Sequence, residues 1–150
     1  MECGLFASKC FAILNSSFNE RRWINLQLDH DFVRKFLLKI ESCNNPGGLG
    51  PQDLKSLMND NDKSFNELAY TIQILIEGDL VSSKVSWANN RPTYIHPVNL
   101  TFKGHEYLDN IRDNKIWTET KKATSKLASV SIDIMSQVAT NLISRSLGIN

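Results

Sequence analysis

The side chains with the most chemical potential stand together in KGHEYL (Lys103–Leu108), where the imidazole of His105 neighbours the carboxylate of Glu106. General acid–base chemistry needs two such groups converging on one substrate atom. Adjacent residues on a helix project about 100° apart, so these two diverge. A helical zinc motif needs a second His four residues on, and position 109 is Asp. His30, His96, Cys3, Cys10 and Cys43 share no metal-ligand spacing, and no two cysteines form C-x-x-C. Gly47-Gly48 lacks the Lys and Ser/Thr of a phosphate cradle, and Asp53, Asp60 and Asp62 lack the spacing of a calcium loop. No G-x-S-x-G or G-x-G-x-x-G occurs. These absences lead to the expectation of a non-enzymatic protein with no cofactor and no bound metal.

The chemistry must then lie in surfaces, and the elements that present them are readable. Leu28 to Cys43 is an amphipathic helix, with Leu28, Phe32, Val33, Phe36, Leu37 and Ile40 on one side and Asp29 as N-cap. The Gly- and Pro-rich stretch NNPGGLGP (Asn44–Pro51) is a loop, and a short helix follows over 52–58. After the polar turn NDNDK, Ser64 and Glu67 form a capping box. The helix they open runs to Glu77, with Phe65, Leu68, Ala69, Ile72, Leu75 and Ile76 inward and Gly78 as the C′ residue. Leu80–Trp87 and Thr93–Leu100 read as two strands around Asn89-Asn90, with Pro97 at an edge or bulge. Thr101 caps a helix over 102–122, and Thr118–Ser129 is polar and weakly basic. A last amphipathic helix, capped by Ser129 or Ser131, occupies 129–148. The order helix, helix, helix, strand, loop, strand, helix is that of a mainly α fold with a small β-hairpin, a winged helix-turn-helix with additional C-terminal helices. The winged-helix domain is placed at 26–122.

Length and composition bound the rest. The chain has 150 residues, a formal charge of +1, 41% hydrophobic and 22% charged residues, which fits one ordinary soluble domain. No apolar run reaches the roughly 20 residues that span a bilayer, so no membrane partner is expected. The apolar segment CGLFASKCFAIL is not a secretion signal, because Glu2 makes its start acidic and Lys9 interrupts it. Free, odd-numbered cysteines fit a reducing, cytoplasmic setting.

Two surfaces stand out. In a helix-turn-helix the second helix enters the major groove of double-stranded DNA. Here that places Asn66, Tyr70, Thr71 and Gln73 at base edges or the groove wall, with Lys55, Lys63, Lys84 and Arg91 on phosphates. The near-zero net charge and a second helix without Lys or Arg argue against this, since phosphate neutralisation dominates affinity. The second surface is the stripe Ile132, Met135, Val138, Leu142 and Ile143 of the last helix. It would serve a homodimer or a protein partner, or else complete the chain's own core. DNA binding by a regulatory protein is the first expectation. A protein-interaction adaptor of antitoxin-like or anti-defence type, on the same fold, is the alternative.

LTFKGHEYLDNIRDNKIWTETK (Leu100–Lys122) resembles the signature of domain-of-unknown-function family 2513, LQLDHDFVRKFLLKIE (Leu26–Glu41) its opening helix, and LAYTIQILIEGDLV (Leu68–Val81) its helix-then-wing entry. The resemblance implies a winged-helix-like fold of bacterial, phage or prophage type and no established activity. Members of the family typically begin with Met at the position of Leu26. Residues 1–25 therefore read as a separate tail, either a translated leader or a disordered extension. The preceding Glu20-Arg21-Arg22-Trp23 can be encoded by a purine-rich ribosome-binding sequence, and Leu26 by the start codon TTG. The codons at Arg21, Arg22 and Leu26 distinguish the two. Without the tail, fourteen basic residues face fourteen acidic ones.

Overall fold

The computed structural model describes residues 27–149. The tail at 1–25, Cys3 and Cys10 lie outside the described residues. Among the described residues, six helices and four short strands follow in the order α1 (His30–Glu41), α2 (Pro51–Asp60), α3 (Phe65–Glu77), β1 (Val81–Ser82), β2 (Val85–Ala88), β3 (Arg91–Ile95), β4 (Asn99–Leu100), α4 (Phe102–Ile111), α5 (Asn114–Thr124) and α6 (Ile132–Ser146). The chain is mainly helical, with small antiparallel strand pairs.

Local capping chemistry sets most of these boundaries. The Asp29 carboxylate accepts from the Phe32 amide at the start of α1. Pro51 opens α2, and Asp53 accepts from the Gly50 amide. Ser64 and Glu67 exchange both bonds of the expected capping box. Thr101 caps α4, and Ser131 rather than Ser129 caps α6. The C-terminus of α3 departs from expectation. Gly78 keeps a right-handed φ of −78°, and the left-handed position belongs to Asp79, φ 59°. Asp79 and Leu80 donate to the Ile76 and Leu75 carbonyls, so the helix closes in a Schellman motif one residue later than the glycine.

The strands divide into two pairs, β1 with β4 and β2 with β3. The expected long strands are each broken, Leu80–Trp87 at Ser83-Lys84 and Thr93–Leu100 at His96–Val98, which leaves Pro97 outside both pairs. Asn89 and Asn90 join β2 to β3 with φ of 51° and 59°, the pattern of a type I′ turn. An isolated antiparallel bridge, Leu49 with Val98, ties the loop before α2 to the sheet region.

Helix α4 ends where the sequence reads a continuous helix to Lys122. Asp113 takes an extended conformation and caps α5 by accepting from the Lys115 and Ile116 amides. Arg34 of α1 donates to the Ile111 and Arg112 carbonyls that the break exposes, and to Asn114. The polar tract from Thr118 is helical as far as Thr124, and Thr120 and Thr124 are buried. Their hydroxyls donate one turn back, to the Ile116 and Thr120 carbonyls, which removes the cost of burying them.

The core is one cluster drawn from every helix and from the sheet, with Phe36, Leu37, Leu68, Ile72, Leu75, Leu80, Leu108 and Ile111 fully enclosed. Salt links fasten α1 to the end of α4 and to α5. Arg112 grips Glu41 through two 2.6 Å bonds, and Lys121 lies 2.9 Å from Asp31. Burial pushes the Asp31 carboxyl up, but Lys121 and the Trp117 indole outweigh it and hold the group below 3.8. Asp29 is lowered against the same burial effect by Lys63 and backbone amides. Arg112 lowers Glu41 below 4.5. A carboxylate lowered on folding adds stability that is complete above its unfolded value and is lost as pH falls through the folded value. The urea midpoint should therefore fall as the pH drops below about 4, and Asp31→Asn should flatten that limb while lowering the plateau at neutral pH.

Candidate nucleic-acid interface

Helices α2 and α3 are joined by the short turn Asn61–Ser64, and the β2–β3 hairpin packs beside α3. Asn66 is exposed in the first turn of α3, and Tyr70 and Gln73 are half-buried along it. The Gln73 amide donates to Glu77 at 3.1 Å, which spends a donor that adenine recognition would use. Lys55 on α2, Lys84 before β2 and Arg91 at the start of β3 are exposed and make no ion pair with a described residue.

Two of the expected contacts are displaced. Thr71 is buried at 5% exposure, and its hydroxyl donates to the Glu67 carbonyl at 2.8 Å, so it faces the core and not a groove. Lys63 lies 2.8 Å from Asp29 and over the Phe32 ring, with only 20% of its side chain exposed. That pairing fastens the α2–α3 turn to α1 and takes Lys63 out of the phosphate-contact set.

Aromatic side chains fill out the surface in their place. Phe65, expected inward, is 37% exposed, and Tyr94 and Trp87 on the hairpin are 46% and 49% exposed. Phe65 and Tyr94 border a cleft of about 130 Å³ with Lys55, Met58 and Leu68. A charge signal in the sequence marks this region. Between Asp79 and Glu106 lie 26 residues with no acidic side chain, the longest such run in the chain, carrying Lys84, Arg91 and Lys103.

The terminal helix α6 packs against α5 and α4 of its own chain. Met135 and Ala139 are buried, Thr124 Oγ1 lies 3.6 Å from Met135 Sδ, and Asn110 donates to Ser136. Met135 is thus a core residue rather than a partner contact. Ile132, Val138, Leu142 and Ile143 are half-buried. A separate cavity of about 340 Å³ lies between the start of α1 and the α5–α6 loop and is lined by none of the expected DNA contacts.

His105 and Glu106 are both exposed on α4. Among the described residues no group of three His, Cys, Asp or Glu could hold a metal ion, and no helix is long and apolar enough to cross a membrane. Cys43, half-buried, is a free thiol.

Comparison with known proteins adds kinship. The family described as "Hypothetical protein (DUF2513)" matches residues 27–131, from before α1 to the cap of α6. Over 120 residues the chain is 32% identical to an "Uncharacterized protein" of Haemophilus influenzae (strain ATCC 51907 / DSM 11121 / KW20 / Rd), covering 78% of this chain and 95% of that one. No solved structure matches.

Proposed function

The chain belongs to domain-of-unknown-function family 2513, and on that premise we propose that it is a non-enzymatic, DNA-binding regulatory protein of phage or prophage type. Its α2–turn–α3 unit is read as a helix-turn-helix and its β2–β3 hairpin as the wing. The observation that carries the reading is the hairpin, which lies in the acid-free stretch of sequence, packs against α3 and carries Arg91 exposed, with Lys84 exposed just before it. A duplex docked on α3 with the hairpin alongside would take Lys84 and Arg91 as phosphate contacts. Asn66 and Tyr70 contact base edges or the groove wall, Gln73 does so on releasing Glu77, and Lys55 meets phosphate.

The adaptor reading draws on a different observation. Helix α3 has no Lys or Arg, and the Phe65–Tyr94 cleft offers an apolar foothold to a protein side chain. The half-buried margin of α6 would extend a protein contact or support a homodimer.

A mobility-shift titration over a series of salt concentrations separates the two. On a duplex from the gene's own upstream region, affinity should fall steeply with salt. Lys84→Glu with Arg91→Glu should weaken it about 10- to 100-fold and reduce the salt slope by about two. A wild-type protein with no salt-sensitive binding would sink the DNA reading, and a stable co-purifying protein would then favour the adaptor.

A further inference from the structure

We propose that Trp87 is an apolar wedge, inserted by the hairpin tip between base pairs in the minor groove of duplex DNA, and that it bends the duplex on binding. The proposal rests on the DNA-binding reading and adds to it a contact, a groove and a deformation.

The hairpin is anchored at one end and bare at the other. Val85 and Ile95 pair at its base and are 7% and 3% exposed, whereas Trp87, two residues further out, is 49% exposed. The strand register shifts between Ser86 and Trp87, and the extra residue, Thr93, donates to the Ser86 carbonyl. Such bulges re-aim a side chain out of the regular alternation. Pro92 faces Trp87 across the ladder and has no amide hydrogen to give it, and the type I′ turn at Asn89-Asn90 closes the tip two residues later. A large flat ring is thus carried, half exposed, near the end of a short two-stranded hairpin.

The surroundings name the partner. The tip reads Ala88-Asn89-Asn90-Arg91, and Asn and Arg are side chains that read minor-groove edges. Only a narrow element enters a groove about 6 Å wide, and a two-residue hairpin tip is among the narrowest a protein can present. An apolar ring flanked by cations within an acid-free stretch is complementary to stacked bases edged by phosphates. Proteins that drive apolar side chains between base steps from this groove unstack them and kink the helix.

The experiment uses the full chain with end-labelled duplexes of roughly 30 base pairs, one A·T-rich with a central TA step and one G·C-rich. Indole emission, end-to-end energy transfer and affinity are followed at about 50 mM salt for the wild type, Trp87→Phe and Trp87→Ala. Binding should quench the wild-type emission and shorten the A·T-rich duplex more than the G·C-rich one. Trp87→Ala should weaken binding about tenfold or more and lose both quenching and bend. Trp87→Phe should lose the quenching but hold affinity within about threefold, because a smaller ring still wedges. Both variants should melt with the wild type, since the ring is half exposed. Salt-sensitive binding that Trp87→Ala leaves unchanged in affinity and bend would overturn the wedge and leave the DNA reading standing. No salt-sensitive binding by the wild type would overturn both. Concentration-dependent self-association that shields Trp87 from acrylamide without DNA would assign the ring to a second copy of the chain and overturn the wedge.

Discussion

Gly104→Ala should destabilise the protein by at least about 3 kcal/mol, against the helix-propensity gain of about 1 kcal/mol that alanine brings to a helix interior. Gly104 lies in the first turn of α4, buried against the segment leaving α3. A Cβ built there falls 2.0 Å from the Leu80 carbonyl oxygen and 3.0 Å from its carbon. The obstacle is backbone, and that backbone is held: Leu80 donates to the Leu75 carbonyl and accepts from the Thr101 amide. Relief requires α4 to move away from β1, which opens the contact that encloses Leu80 and Leu108. Differential scanning calorimetry should show the melting temperature of Gly104→Ala lowered by roughly 10 °C or more. His105→Ala, at the exposed neighbouring position, should change stability by no more than about 0.5 kcal/mol. A near-neutral Gly104→Ala would mean that α4 does not approach Leu80 this closely.

Trp117→Ala should cost about 3–5 kcal/mol by urea unfolding, the range for removing a large ring from a core. Trp117 is 4% exposed, and its indole N–H donates to Asp31 at 2.8 Å. Arg34 of α1 and Lys121 of α5 lie 5.7 and 5.8 Å from the centre of its ring, each within cation–π reach. Trp117→Phe keeps most of the ring contact and should cost roughly 1 kcal/mol, the net worth of one hydrogen bond. Equal losses for the two variants would show that the indole N–H, and not the ring packing, joins α5 to α1.

The candidate interface was only partly legible in the sequence. Asn66, Lys55, Lys84 and Arg91 stand on exposed positions because charged and small polar side chains have no reason to enter the core. Thr71 misled because helical spacing puts it at the border between faces, and a threonine that bonds its own helix can be buried there. Lys63 misled because its partner, Asp29, stands 34 residues earlier and in the sequence appears committed only to capping α1. The exposed aromatics were missed for the opposite reason. Trp87 and Tyr94 look like ordinary strand residues, and only the shortness of the hairpin leaves them without a layer to cover them.

The sequence alone determined the succession of three helices, a hairpin and further helices, the caps at Asp29, Ser64 and Thr101, and the turn at Asn89-Asn90. Each depends on hydrogen bonds and φ preferences spanning at most about four residues, so the chemistry is written where it acts. The tertiary structure decided the break between α4 and α5, where Arg34 reaches the Ile111 carbonyl across 77 residues of chain. It also decided the burial of Thr120 and Thr124, and the return of Met135 to its own core. Those outcomes turn on which surfaces meet, and partners so far apart along the chain leave no periodic trace at either site.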